Sequence, residues 1–176
     1  MRIRMLTSLA ALTAALTFSA CSEKPPKSLE EIPGVVKIND PNFSAAMGTL
    51  VIDIKAERFY RFSVDAVDTL RKVKLYFPSE LDRYKKIWVF GTSSLVDKYG
   101  NQSSHRTVGI EWPTEELKKA HLEEKKLVTW DVLNLASDVR RFNRAGDEMF
   151  IEYCKEENSQ KYAASFCMLY VNKYMH

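Results

Sequence analysis

Near Pro113 the apolar residues of this 176-residue chain change their spacing, and that change constrains the fold more than any other feature. Upstream, apolar side chains alternate with polar or small ones: Leu50, Ile52 and Ile54; Tyr60, Phe62 and Val64; Val73, Leu75 and Phe77; Val108, Ile110 and Trp112. Period two marks a strand with one buried face and one wet face. The unbroken run Ile87, Trp88, Val89, Phe90 is what a strand covered on both faces requires, and Asp97 to Asn101 reads as a turn. Downstream the spacing becomes helical. Thr114 stands as an N-cap before two acids and two lysines. Trp130, Val132, Leu133 and Leu135 suggest a short helix; Met149, Phe150, Tyr153 and Cys154 suggest another. Tyr162, Ala163, Phe166, Cys167, Tyr170 and Tyr174 suggest a last one, since β-branched residues are missing there until Val171. The expectation is an α+β fold: a mainly antiparallel sheet of about five strands within residues 48–112, then three or four helices within 114–175.

The first twenty residues obey a different rule. Arg2 and Arg4 open the chain, an apolar stretch relieved only by Ser and Thr runs to Ala20, and no acid occurs before Glu23. A positive start, an apolar core and small residues before a break are the parts of a secretion signal. The sixteen residues from Met5 to Ala20 are too few to cross the roughly 30 Å hydrocarbon core at 1.5 Å per residue. The break itself, Phe18, Ser19, Ala20, Cys21, resembles the lipobox of bacterial lipoproteins, with Phe18 where Leu is usual. The resemblance covers residues 1–21 only. It implies that residues 1–20 are removed, that Cys21 carries lipid (diacylglycerol and, on the new amine, an acyl chain such as palmitate), and that the protein faces the periplasm. Ser22, rather than Asp, implies sorting to the outer membrane. One acyl chain holds only marginally at about 0.8 kcal/mol per buried CH₂, whereas two or more make attachment permanent.

Residues 21–34 are polar and carry three prolines, so they read as a lipidated tether able to span up to roughly 40 Å. Residues 35–176 then form one domain of ordinary size. Of the formal charge of +3, Arg2 and Arg4 supply two units, so the mature chain is nearly neutral. That argues against a nucleic-acid partner, whose binders carry a marked basic excess. With Cys21 acylated, Cys154 and Cys167 remain, and an oxidising compartment favours joining them as a disulfide. Their spacing suits neither a zinc site nor a redox Cys-x-x-Cys.

No motif names a reaction. Ser103, Ser104 and His105 put hydroxyls beside an imidazole, the raw material of a nucleophile and base, but strand neighbours face opposite ways. His121 and His176 add no metal-ligand spacing. No cofactor is implied. Arg140, Arg141 and Arg144 form the densest basic run and, with the turn near Tyr99, are the candidate partner contacts. The aromatic stripe from Tyr162 to Tyr174 fits a core face better than a binding face. The function expected first is a non-enzymatic, membrane-anchored component of an envelope assembly such as a secretion, conjugation or wall-associated apparatus. A binding or inhibitory module for a lytic enzyme or glycan comes second, and a wall hydrolase third.

Overall fold

The computed structural model describes residues 24–39, 47–122 and 127–175; the leader, Cys21 and His176 lie outside the described residues. Five strands form one sheet in chain order: β1 (Val35–Ile38), β2 (Thr49–Lys55), β3 (Lys86–Val96), β4 (Gln102–Pro113) and β5 (Asp138–Arg141). The helices among the described residues are α1 (Phe59–Tyr76), α2 (Pro78–Arg83), α3 (Thr114–Lys119), α4 (Thr129–Leu133), α5 (Arg144–Lys155), α6 (Glu157–Tyr162) and α7 (Ala164–Tyr174). The fold is α+β, and three of the four strand pairings are antiparallel. The fourth, β2 with β3, is parallel.

That parallel pair exists because the chain between β2 and β3 is helical, not a pair of strands. Residues 60–64 and 73–77, whose alternation suggests two strands, lie in or at the end of the single eighteen-residue helix α1. Phe59, Phe62, Ala66, Leu70 and Val73 are buried at three- and four-residue steps, the period of a helix face. Tyr60 and Leu75, which period two would bury, are 62% and 61% exposed. Arg61–Asp65 and Asp68–Lys72 ion pairs at i,i+4 reinforce the helical register. Two parallel strands need such a crossover.

The sheet regains its five strands through two short edge strands, β1 and β5, each four residues long and too brief to show a period. Thr114 is not a cap. Pro113 holds that position, and Thr114, fully buried, donates its hydroxyl to Tyr84 O at 2.7 Å, tying α3 to the start of β3. The last helix arrives in two pieces, α6 and α7, joined at the buried Ala163.

All the helices that build the core pack on one face of the sheet. Ile52, Val89, Ile110, Trp112 and Val139 on that face meet Phe62, Leu70, Phe150 and Phe166. Trp112, fully buried, donates its indole N–H to Val132 O at 2.8 Å. The expected disulfide is present: Cys154 on α5 is bonded to Cys167 on α7, with Cα atoms 5.6 Å apart. Closing a loop of this length removes about 3 kcal/mol of freedom from the unfolded chain.

The segment expected to be a tether is partly built into the domain. Leu29–Glu31 form a 3₁₀ turn, and Ile32 is 1% exposed within the core. Glu30, Glu31, Pro33 and Gly34 mask Ile32 in the sequence, where it shows no apolar period. Further upstream, Lys24 and the half-buried Pro26 line a hollow with Lys72 and Tyr76 of α1, so the chain already lies against the domain there.

Candidate functional site

Two surfaces concentrate side chains that can recognise something: the top of the sheet, where β3 and β4 run past their neighbours, and the sheet face that no helix of the described residues covers.

β2 ends its pairing at Lys55 opposite Thr92, whereas β3 and β4 stay paired out to Val96 and Gln102. The thirteen residues 93–105 beyond that point project as a hairpin. A bulge between Gly91 and Thr92 places the extra residue, Thr107, inside the domain, fully buried, its hydroxyl donating to Gly91 O at 3.1 Å. Helix α5 seats directly on that bulge. A Cβ at Gly146 would lie 1.9 Å from Thr107 O, so only glycine permits the approach. Asn143 caps α5 by accepting from Gly146 N at 3.0 Å and donates to Arg106 O at 3.1 Å, pinning the helix to the same strand.

At the hairpin tip Asp97 accepts from the backbone N–H groups of Tyr99 and Asn101 and from the Asn101 amide, at 2.8–3.0 Å. The Asn101 side chain is the largest cause, with the backbone donors, that holds the Asp97 carboxyl below its ordinary value. Gly100 supplies the left-handed residue of the turn with φ +87°. The tip is thus fixed while Tyr99, its candidate contact, is 76% exposed under the Lys98 ammonium at 4.9 Å.

Beneath the hairpin lies a groove of about 720 Å³ between β3 and α5. Ser93, Ser94 and Leu95 form one wall, Met149 and Glu152 the other, and Lys55, Glu57 and Glu148 its ends. It continues past Met149 and Glu152 into a smaller hollow of about 280 Å³ beside Arg58 and Tyr60. Glu148 is paired with Arg144 at 2.7 Å. Apart from Met149, which the helical spacing marks, none of these groove residues stands out in the sequence, because the fold gathers them from β2, the connection after it, β3 and α5.

The sheet's other face has a different chemistry. Trp88 and Phe90 stack at 5.2 Å with planes 10° apart, and a Cβ at Gly109 would strike the Phe90 ring at 2.4 Å. The Arg106 guanidinium lies 4.3 Å over Phe90 and the Arg140 guanidinium 5.1 Å over Trp88. Asp53, buried, holds Arg106 with two bonds, 2.6 and 2.7 Å, from Nε and Nη2. Phe142 closes the end with its ring edge-on to Phe90 at 5.3 Å.

The three arginines of the basic run do not act together. Strand alternation sends Arg140 to this open face and Arg141 to the helix side, where it pairs with Asp147 at 2.8 Å and lies over Tyr174 at 4.7 Å. Arg144 is on α5 facing solvent. Asp147 also accepts from the Tyr170 hydroxyl, and burial, with that bond second, raises the Tyr170 pKa well above its ordinary value. Phe166 and Tyr170 of the aromatic stripe are core, as expected of such spacing, while Tyr162 is 43% exposed and stacked on Trp130. His105 does meet a hydroxyl, but that of Ser103 two residues away on the same strand face, Oγ to Nε2 2.7 Å, and both residues are exposed.

Among the described residues no group of three or more His, Cys, Asp or Glu is placed to hold a metal, and no helix is long and apolar enough to cross a membrane. Comparison with family models, curated proteins and solved structures returns no match.

Proposed function

We propose that this chain is a bacterial envelope lipoprotein, anchored by lipid on Cys21 to the outer membrane and facing the periplasm, whose domain works by binding a protein partner in a larger envelope assembly. The observation that carries the reading is the run from Arg2 to Cys21, ending in a lipobox-like Phe18, Ser19, Ala20, Cys21. The Cys154–Cys167 disulfide suits an oxidising compartment and leaves Cys21 as the one cysteine without a thiol partner among the three. A hairpin whose turn is braced by Asp97 and whose Tyr99 stands in solvent suits a recognition role.

The decisive experiment is mass spectrometry of the mature N-terminus together with fractionation of Cys21→Ser. The expected results are a lipid-modified cysteine and, in the variant, protein released from membranes or left as uncut precursor. An unmodified N-terminus on membrane-free wild-type protein overturns the proposal.

The same hairpin favours a second reading, an inhibitory module that presents Tyr99 to the cleft of a lytic enzyme or to a glycan. Tyr99→Ala then abolishes inhibition while leaving an assembly partner bound elsewhere untouched. A hydrolase is the weaker reading. Acid and base roles require two carboxylates held in contrasting environments, whereas Glu57, Glu148 and Glu152 are all exposed to solvent.

A further inference from the structure

The groove beneath the hairpin has one wall made of backbone. Ala56 N–H donates to Thr92 O at 2.9 Å, the last backbone bond from the β2 side to β3, and the Ser93 hydroxyl caps it by donating to Ala56 O. After it the chain turns away into α1, while β3 continues to Val96. Along a strand the N–H and C=O of successive residues point alternately to the two neighbours. Thr92 faces the β2 side, so Ser94 and Val96 face it too, with no strand of the described residues beside them. Both residues are exposed, and Ser94 lines the groove. A row of unpaired backbone donors and acceptors is a template for an added strand, and native proteins ordinarily block such a row with proline, a lysine or a covering loop. Here the positions are serine and valine, and α5 stands back by the width of the groove. The rest of the lining is acidic: Glu152 and Glu57 carry no ion pair among the described residues, and Glu148 shares its charge with Arg144. One cation, Lys55, lines the groove against these three carboxylates.

We infer that the groove takes an extended, lysine- or arginine-bearing peptide segment of the partner as a strand added to β3 at Ser94 and Val96, with Glu57 and Glu152 meeting its cationic side chains. Backbone bonds supply sequence-independent grip, and alternate side chains supply selectivity. The two free β3 positions, with the hollow beside Arg58 and Tyr60, match a segment of about four to six residues at roughly 3.3 Å each. This rests on the binding reading of the domain, but not on the lipid.

The test uses the full chain, purified from whichever fraction holds it, and a peptide of about ten residues alternating lysine and threonine, long enough to cover the groove as a strand. Its counterpart has glutamate for lysine. The expected result is binding of the basic peptide that weakens with salt, with amide signals of Ser94 and Val96 protected from hydrogen exchange. Ser94→Pro removes the outward N–H and no ladder bond, so the fold tolerates it and affinity falls about tenfold or more. N-methylation of alternate peptide residues, which leaves the protein untouched, gives the same loss in one register and none in the other. Glu152→Gln weakens binding several-fold and flattens the salt dependence. Failure of the basic peptide to bind, equal binding of the acidic one, or indifference to both Ser94→Pro and N-methylation overturns the inference. Cys21→Ser fractionation is read separately, so the anchor and the groove fail independently.

Discussion

The two faces of the sheet keep water out by different means. On one, Ile87, Val89, Ile110 and Trp112, all at 0% exposure, disappear under α1, α5 and α7. On the other, Trp88 and Phe90 are nearly as hidden, at 8% and 4%, yet among the described residues no helix lies over them. Among the described residues their cover is Arg106 of β4 and Arg140 of β5, each lying over a ring, with Phe142 edge-on to Phe90 and the buried Asp53 holding Arg106. Arginine can do this because its stem is apolar and its guanidinium is planar and weakly hydrated. A dry strand flank therefore does not require a second layer of secondary structure, and a two-layer domain can keep a tryptophan on its outer surface out of water.

This contrast can be tested by removing the cover from each side in turn. Trp112→Ala on the helix side should cost the most, about 4 kcal/mol, because it leaves a large cavity and an unpaired Val132 carbonyl; chemical denaturation measures it. A loss below about 1 kcal/mol would mean the helix side is loosely packed and the contrast is false. Asp53→Asn on the open side should cost about 2 kcal/mol, because Arg106 loses a two-bond charged partner in a half-buried place. Its companion Arg106→Lys should lose nearly as much, since an ammonium can neither form the fork nor stack on Phe90. Equal stability of Arg106→Lys and wild type would show that charge alone, not the flat cover, matters. Arg140→Ala should cost least, about 0.5–1 kcal/mol, with the emission of Trp88 shifting to the red as water reaches the ring. No shift, compared against a Trp88→Phe background, would show that Arg140 is merely solvated.

The alternation at Leu50–Ile54 and Val108–Trp112 was legible because, in those stretches, the large aliphatic and aromatic residues all fall on the helix-covered face and their neighbours on the other. The same reading failed at Tyr60–Val64 because a five-residue window cannot separate period two from period 3.6. The full run from Phe59 to Val73 does separate them, through burial at Phe59, Phe62, Ala66, Leu70 and Val73. The run Ile87–Phe90 correctly implied cover on both sides, but its nature was hidden, since Arg106 and Arg140 sit 16 and 50 residues beyond Phe90 and become neighbours only through the register of β4 and β5. The same holds for the candidate site. Tyr99 and its turn could be read locally, and so could the cysteine pair. The acidic groove could not, because Glu57, Ser94 and Glu152 have no relation along the chain. The basic run misled for a local reason: on a strand, adjacent arginines part company.

Ile32 has a mechanical consequence. A pull on the chain upstream of Lys24 meets a fully buried isoleucine before it can load β1, the edge strand whose bonds would otherwise open one at a time. Extracting that side chain costs about 2–3 kcal/mol, and it must happen before the first rung of the sheet bears any tension. The residue acts as a strain relief between cable and device: traction on the connecting segment ends in the core, and the sheet beyond it keeps its register under load.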